Sequence, residues 1–419
     1  MKFLHAADIH LDSALHGLER YDGAPVEEIR GATRRALDNL VQLAIEEAVA
    51  FVVLAGDLYD GDWRDYNTGL YFVAQMGRLR EAGIRVFVVA GNHDAASQIT
   101  RHLRLPDNVT MFSTDHPESV VLDDLGVAIH GQGFASRSVT EDLSLAYPQA
   151  APHLFNIGLL HTCLDGKPGH EPYAPCSLDG LRSKGYQYWA LGHIHKREVV
   201  CRAPWVVFPG NIQGRHIRET GAKGCTLVIV DSNEIREVVH CDLDVLRWLR
   251  CEVDVTDCDT TDDVWEKVRE AFLHALEAAA GKLLVVRLIL RGVSAIHSCL
   301  KADLFHWVQE YRALATDIGG ARLWLEKVSL MTRPSVSTDI CLARDDALSG
   351  LLRGINEREV DEAALMSLAH EVASLRQKLP AELLGGEDGY DPADPEQLKI
   401  VLEDVKELLV NRLLSMNKV

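Results

Sequence analysis

The chain has 419 residues, of which 47% are apolar and 25% charged, a composition typical of a soluble globular protein with more than one domain. No apolar run approaches the roughly 18 residues that span a bilayer, the opening MKFLHAADIH lacks a secretory signal, and the nine cysteines include no CxxC pair, so we expect a cytoplasmic protein without a membrane anchor, a disulfide framework or a structural zinc site. The formal charge of −19 is unfavourable for a protein that binds DNA alone, and suggests that a partner supplies part of any DNA-binding surface.

The first half of the chain alternates short apolar runs with longer helical patterns. Strands are predicted at Phe3–Ala7, Phe51–Ala55, Arg85–Ala90, Val127–His130, Asn156–Leu160, Tyr188–Leu191, Val206–Phe208 and Cys225–Val230. Helices are predicted at Val26–Ala48 and Tyr66–Glu81. This alternation predicts a central sheet with helices on its faces.

The pattern changes near residues 235–245, where a compact α+β module is predicted. Its strands are Arg247–Val255, Lys282–Arg291 and Gly320–Val328, and its helices are Asp262–Ala279 and Lys301–Ala315. The predicted domains are therefore residues 1–238, 239–335 and 336–419.

The last of these domains is predicted to be a helical tail. It contains the helices Asp345–Arg353 and Glu357–Lys378 and a turn-rich linker near residues 384–393. Asp394 and Pro395 then have the character of an N-cap and a first helical position. The last helix carries an apolar stripe made of Leu398, Val401, Leu402, Val405, Leu408, Leu409 and Leu413.

Five short motifs hold the residues suited to chemistry, and each follows a predicted strand. They are Asp8-Ile9-His10, Gly56-Asp57-Leu58-Tyr59-Asp60, Gly91-Asn92-His93-Asp94, His161 and Gly192-His193-Ile194-His195. Ligands bind at the carboxyl ends of strands in open α/β sheets, so these loops can converge on one point. Carboxylates, imidazoles and amide oxygens suit divalent metals such as manganese, magnesium or iron.

The spacing within the motifs gives two further expectations. Asp8 and His10, and likewise His193 and His195, are two positions apart, which in an extended segment places both side chains on one side. The glycines at positions 56, 91 and 192 permit tight turns and close approach of the backbone.

As an ordered set, the motifs resemble the calcineurin-like metallophosphoesterases. The segments MKFLHAADIHLD, GDLYD, VVAGNHD, YWALGHIHK and PGNIQGRHIRETGAKG resemble the DNA-repair exonuclease branch of SbcD type, and especially its YhaO-like members. The resemblance covers residues 1–230 and is only architectural beyond them. It implies an α/β fold with an αββα core of two packed sheets flanked by helices, followed by a small capping domain and a helical tail.

The resemblance also implies two divalent ions, with manganese expected and magnesium or iron as alternatives. The implied ligands are Asp8, His10 and His195 for the first ion, Asn92, His161 and His193 for the second, and Asp57 as a bridge. His93 would contact the scissile phosphate and protonate the leaving oxygen, with Asp94 orienting its imidazole.

Two departures from related families bear on the substrate. Asp60 stands where some archaeal and eukaryotic relatives carry a histidine near the DNA, although an acid also occurs there in bacterial relatives. Gly61 stands where protein phosphatases carry a phosphate-clamping arginine, and Asp94 follows His93 where they carry glutamate. These features favour a phosphodiesterase over a protein phosphatase.

The expected function is therefore a two-metal DNA nuclease in DNA repair or end processing, a double-strand exonuclease with single-strand endonuclease activity. Phosphate contacts are expected at Arg64, Arg101, Arg104, Lys167, Lys196, Arg197, Arg215 and Arg218.

The resemblance implies an SMC-like coiled-coil ATPase as partner, bound by the C-terminal helices, with a homodimer as a further arrangement. One alternative function is a phosphodiesterase acting on nucleotides or other small phosphodiesters. Another is a scaffold subunit of an ATPase complex, whose metal site is secondary.

Overall fold

The structure is a computed structural model that describes residues 1–13, 29, 31–60, 66–95, 103–164, 173–334, 350–351, 354, 362–376, 391 and 393–416. The chain forms two compact units. The first comprises Met1–Cys251, Ala271–Leu288 and Leu314–Lys327, and the second comprises Glu252–Glu270, Ile289–Ala313 and Val328–Val419. Among the described helices, none is long and apolar enough to cross a membrane.

The strands and helices are numbered in chain order. The strands are β1 (Lys2–Ala6), β2 (Phe51–Ala55), β3 (Arg85–Val89), β4 (Val109–Met111), β5 (Glu118–Leu122), β6 (Val127–Gly131), β7 (Phe155–His161), β8 (Tyr188–Gly192), β9 (Glu198–Arg202), β10 (Trp205–Phe208), β11 (Gly224–Asp231), β12 (Glu234–Asp242), β13 (Leu246–Asp254), β14 (Leu283–Ser294) and β15 (Leu323–Pro334). The helices are α1 (Ala32–Glu46), α2 (Tyr66–Glu81), α3 (Asn92–Ala95), α4 (Leu178–Ser183), α5 (Thr261–Ala278), α6 (His297–Ala302), α7 (Leu304–Gly319), α8 (Glu362–Arg376) and α9 (Pro395–Met416).

Two six-stranded sheets form the core of the first unit. The first has the order β12-β11-β1-β2-β3-β4, and the second has the order β5-β6-β7-β8-β10-β9. In the first sheet β1 to β4 are parallel, and in the second β6, β7, β8 and β10 are parallel. Strands β1, β2 and β3, which are neighbours in the first sheet, therefore end at the same edge of that sheet.

The alternation of side chains along each strand explains the layers. On β1, Phe3 packs into the apolar cluster shared by the two sheets, whereas Leu4 packs into the cluster beneath α1 and α2. A third cluster, which contains Trp189 of β8 and Leu181 of α4, covers the outer face of the second sheet. The predicted αββα arrangement of two packed sheets flanked by helices is confirmed.

The predicted elements of the first half largely occur where expected. Helix α2 has the predicted bounds, and β2 does as well. Helix α1 is shorter than the predicted Val26–Ala48, of which residues 26–28 and 30 lie outside the described part. Strands β4, β5, β9 and β12 were not predicted.

The elements that follow β12 include a further sheet and a pair of packed helices. Strands β13, β14 and β15 form a three-stranded sheet in that order. Helices α8 and α9 pack against each other through Leu365, Ala369 and Leu398. The predicted cap of α9 is confirmed, since an Asp394 carboxylate oxygen accepts the Glu396 N–H at 3.0 Å. The domain boundaries stay a prediction, and most of the linker near 384–393 and of the helix Asp345–Arg353 lies outside the described residues.

Candidate functional site

The five motifs meet because each follows a parallel strand. Asp8, Asp57 and Asn92 come after β1, β2 and β3, which run parallel in one sheet. His161 ends β7, and His193 follows β8, its parallel neighbour in the other sheet. The loops of both sheets therefore contribute to one site, as expected for the carboxyl edge of α/β sheets.

Four of the seven expected ligands have a positive φ angle rather than extended backbone. The φ angles are 52° at Asp8, 45° at His10, 54° at Asp57 and 101° at His193. The expectation of extended backbone at the Asp8/His10 and His193/His195 pairs is thus wrong. Bonds between loops impose the turn, since the His10 N–H donates to Asp57 O at 3.0 Å. Left-handed backbone at non-glycine residues costs free energy that the surrounding fold must offset.

Glycine is required where these loops come closest together. A Cβ atom on Gly91 would lie 2.2 Å from an Asp57 carboxylate oxygen, and one on Gly192 would lie 1.9 Å from the Ala55 carbonyl oxygen. The expected close backbone approach is confirmed at both positions.

The first group of donors consists of Asp8, His10 and His195. One ligand atom from each lies within 4.8 Å of the other two. The Nε2 atoms of His10 and His195 are 3.2 Å apart. Asp8 is fully buried, and both of its carboxylate oxygens accept the His193 N–H, at 3.0 and 3.1 Å. The structure therefore brings together the three residues expected at the first ion.

The second group adjoins the first through Asp57. His161 Nε2 lies 2.9 Å from Asn92 Oδ1, and the His161 ring is 5.2 Å from that of His193. Asp57 Oδ2 lies 3.5 Å from His161 Nε2 and 3.8 Å from His10 Nε2. One carboxylate oxygen thus lies between the two groups, where a bridging ligand is expected.

The donors fit divalent ions. His161 Nδ1 donates to the Ala55 carbonyl oxygen at 2.9 Å, so the lone pair of its Nε2 faces the amide oxygen of Asn92 with no proton to share. Burial raises the pKa of the Asp8 and Asp57 carboxyls and lowers that of His161 to about 3. A bound cation would stabilise the buried carboxylates, whose ionisation is otherwise unfavourable, and would accept the lone pairs of the neutral imidazoles.

His93 lies beside the ligands with Asp60 as its neighbour. Its Nδ1 is 3.0 Å from Asp60 Oδ1, and this contact raises the pKa of the imidazole. Burial opposes ionisation of Asp60, but its contacts with His10 and His93 hold its pKa below the usual range. The His93 side chain is 29% exposed and lines the pocket.

Asp94 does not have the role expected of it. Its Oδ1 accepts the N–H groups of Leu58 and Tyr59 at 2.9 and 3.0 Å, and its Oδ2 accepts that of Gly91 at 3.0 Å. Both oxygens are thus occupied in joining two loops. The prediction that Asp94 orients His93 is wrong, because Asp60 occupies that position.

Glu219 lies in the site although none of the five motifs predicts it. This buried carboxylate contacts His195 Nδ1 at 2.6 Å and Arg215 Nη2 at 3.3 Å. Burial opposes its ionisation, but the hydrogen bond from His195 and the charge of Arg215 hold its pKa well below the usual range. The quoted segment PGNIQGRHIRETGAKG contains it, yet nothing in the local pattern distinguishes it from a surface acid.

The expected phosphate contacts have different outcomes. Arg215 is largely buried and pairs with Asp60 at 3.4 Å and with Glu219 at 3.3 Å, and it also lines the pocket. Lys196 and Arg218 are exposed and line the pocket above the ligands, as does Arg137, which was not predicted. Arg104 and Arg197 do not line that pocket. Arg64, Arg101 and Lys167 lie outside the described residues.

The chain is similar to known metallophosphoesterases. A family model described as calcineurin-like phosphoesterase matches residues 1–197, and one described as the middle domain of metallophosphoesterase YhaO matches residues 248–333. The chain is 37% identical over 298 residues to the uncharacterized metallophosphoesterase YhaO of Bacillus subtilis (strain 168), which covers 70% of this chain and 72% of that protein.

More distant relatives carry a name that indicates DNA repair. The chain is 26% identical to the DNA double-strand break repair protein Mre11 of Sulfurisphaera tokodaii over 260 residues, which is 58% of this chain and 63% of that protein. It is 26% identical to the Mre11 of Methanopyrus kandleri over 236 residues, or 50% and 48% of the two chains. A crystal structure of a dimetal phosphatase from Danio rerio matches with a TM-score of 0.36 and 13% identity, over 58% of this chain and 97% of that one.

Proposed function

The chain belongs to the calcineurin-like phosphoesterases, a family of metal-dependent phosphoester hydrolases with a dimetal centre, and from this premise we propose that its substrate is DNA. We propose exonuclease activity on double strands and endonuclease activity on single strands. One observation carries the proposal: a complete set of metal donors lies beneath a pocket lined by the basic side chains of Arg137, Lys196 and Arg218.

The chain's own residues would divide the reaction between them. Asp57 and the two donor groups would hold a pair of ions, for which we propose manganese because the donors are oxygen and imidazole nitrogen. Such ions supply an activated water and offset the charge of the attacking and leaving oxygens. His93 lines the pocket, and its Nδ1 lies 3.0 Å from Asp60 Oδ1, so Nε2 would be the atom that protonates the leaving oxygen.

The basic pocket supports a polyanionic substrate. Lys196 and Arg137 are exposed, and on a chain with a net charge of −19 they concentrate positive charge at the site. The name of the Mre11 relatives supports a role in DNA repair or end processing. The same net charge favours the alternative, a small phosphodiester, because it weakens binding to long DNA.

One assay distinguishes the three proposed roles: DNA nuclease, hydrolase of small phosphodiesters, and scaffold subunit. The purified full chain is incubated with Mn²⁺ on end-labelled duplex DNA and, separately, on bis(p-nitrophenyl) phosphate. We expect hydrolysis of both, and loss of both in Asp57→Ala. Cleavage of the small diester with intact DNA would favour the alternative, and bound Mn²⁺ without either reaction would favour the scaffold role.

We also propose that the tail binds a coiled-coil ATPase of SMC type. The support is the surface of α9, where Val401, Val405 and Leu409 are exposed at intervals of four residues, while Leu398 packs against α8. An apolar stripe of this kind suits a helix-in-groove contact.

The partner proposal is tested by Val405→Glu and Leu409→Glu in a pull-down with the ATPase. We expect binding to be lost, whereas Val121→Glu, at an exposed apolar position on β5, should retain it. Retained binding in the α9 variants would contradict the proposal. Loss of self-association instead would assign the stripe to a homodimer.

A further inference from the structure

Glu219 holds a position that no metal-ligand motif assigns. It lies between β10 and β11, and both oxygens of its buried carboxylate accept hydrogen bonds. Oε1 accepts from His195 Nδ1 at 2.6 Å and from Arg215 Nη2 at 3.3 Å. Oε2 accepts from Asn211 Nδ2 at 2.9 Å and from the Arg215 N–H at 2.8 Å. The carboxylate is therefore fixed against the imidazole of His195.

The two donor groups differ in what stands behind a ligand histidine. His195 Nδ1 faces the carboxylate of Glu219, whereas His161 Nδ1 faces the neutral carbonyl of Ala55 at 2.9 Å. Either partner retains the proton on Nδ1 and leaves Nε2 free for a metal. Only a carboxylate adds negative charge, which makes the imidazole a stronger donor.

From this asymmetry we propose that Glu219 is a positioning residue that sets the affinity of the first ion, the one assigned to Asp8, His10 and His195. The second ion is assigned to Asn92, His161 and His193, and there His161 is backed by the neutral Ala55 carbonyl instead. The inference rests on the two-metal site of the proposed function. The ion pair with Arg215 does not by itself explain the position of Glu219, because the Arg215 side chain is farther from Oε1 than the His195 imidazole is.

The test is a calorimetric titration of the metal-free full chain with Mn²⁺. In Glu219→Gln we expect one of the two ions to bind about 10- to 100-fold more weakly and the other to bind as before. Glu326→Gln is the matched control, because Glu326 is also mostly buried and pairs with Arg287 at 2.8 and 2.9 Å. Its two Mn²⁺ affinities should equal those of the wild type.

His195→Ala identifies the affected ion. We expect it to weaken the same ion as Glu219→Gln does, and adding Glu219→Gln to it should change neither affinity further. If Glu219→Gln does not fold, as judged by circular dichroism, Glu219→Asp is held to the same expectation, since it withdraws the charge from His195.

Two results would overturn the inference alone: unchanged affinities in Glu219→Gln, or equal weakening of both ions. A wild-type chain that binds fewer than two Mn²⁺ would instead overturn the two-metal site, and the inference with it. The two failures are therefore distinguishable in one titration series.

Discussion

His93 is held from two sides before any substrate arrives. Its backbone N–H donates to Asp57 Oδ1 at 2.9 Å, and its Nδ1 lies 3.0 Å from Asp60. The first contact ties the residue to the carboxylate that lies between the donor groups. The second places a carboxylate beside its ring and raises the pKa of the imidazole. The proposed proton donor and the proposed ligands are thus joined by direct contacts, and two substitutions can separate their roles.

Replacing His93 by alanine should remove the proton donor and leave the metals. We expect kcat to fall by about 10²- to 10⁴-fold, the usual contribution of a general acid, while two Mn²⁺ still bind. The measurements are initial rates on bis(p-nitrophenyl) phosphate and metal analysis of the dialysed protein. His116→Ala, at an exposed histidine, is the control. Loss of both metals in His93→Ala would place His93 among the ligands.

Asp60→Asn should act through His93. Removing the charge withdraws the contact that raises the pKa of His93, so the imidazolium is lost at lower pH. We therefore expect a lower kcat and a decline of activity with rising pH that begins at a lower pH than in the wild type. The check is a pH–rate profile of both proteins at saturating Mn²⁺. Identical profiles would show that Asp60 does not control this proton.

At the scale of single residues, the sequence reveals candidate metal ligands better than the residues that hold those ligands in place. Asp8, Asp57 and His161 could be singled out as candidates because each stands in a motif at the end of a predicted strand, and the family resemblance then implied their places as ligands. Asp60 lies in such a motif, yet its partner His93 follows a different strand. Glu219 has no motif, and its role exists only because the β10–β11 segment folds onto His195. Such supports depend on tertiary contacts, which no local pattern specifies.

At the scale of elements, the buried strands could be predicted and the edge strands could not. β2 is an unbroken apolar run because both faces of it are covered. β12 is mostly exposed and polar, so it lacks that signal. Ser232 and Asn233, with φ of 51° and 61°, form the tight turn into it, and this polar pair after an apolar run was the available clue.

The contact between the two sheets gives a prediction about β8. Gly192→Ala places a Cβ against the Ala55 carbonyl, so we expect the free energy of unfolding to fall by about 1–3 kcal/mol, as in overpacked cores. Gly77→Ala, in α2 with open space around it, should be neutral or stabilise by up to about 1 kcal/mol. Urea unfolding of both variants checks this. Equal stability would mean that the sheets separate at little cost.

At the scale of the whole molecule, positive side chains gather at one pocket although the net charge of the chain is negative. The chain carries −19 overall, yet Lys196, Arg137 and Arg218 gather at one pocket. Long-range repulsion and local attraction then act on the same polyanion. Added salt screens the long-range repulsion and also weakens the local attraction. DNA binding should therefore depend on only a few local contacts at the pocket.

Lys196→Gln tests those contacts. We expect weaker binding to all DNA sequences alike and a slope of log K against log[salt] that is smaller by about 1, since one phosphate contact is lost. Lys399→Gln, on the exposed surface of α9, should leave the slope unchanged. The measurement is fluorescence anisotropy with Ca²⁺ in place of Mn²⁺. An unchanged slope in Lys196→Gln would remove Lys196 from the DNA path.

The order of strands in the first sheet has a consequence for biosynthesis. β1 is made first, yet it lies between β2 and β11, and its ligand Asp8 is completed by His195 near the far end of the core. Pairing of such distant segments is slow, because the intervening chain must be ordered before the contacts form. A nascent chain that ends before β8 lacks His195, one of the three donors assigned to the first ion, and His193, one of the donors assigned to the second. The proposed metal site can therefore form only late in folding, after the segment that carries His195 has joined the strands made first.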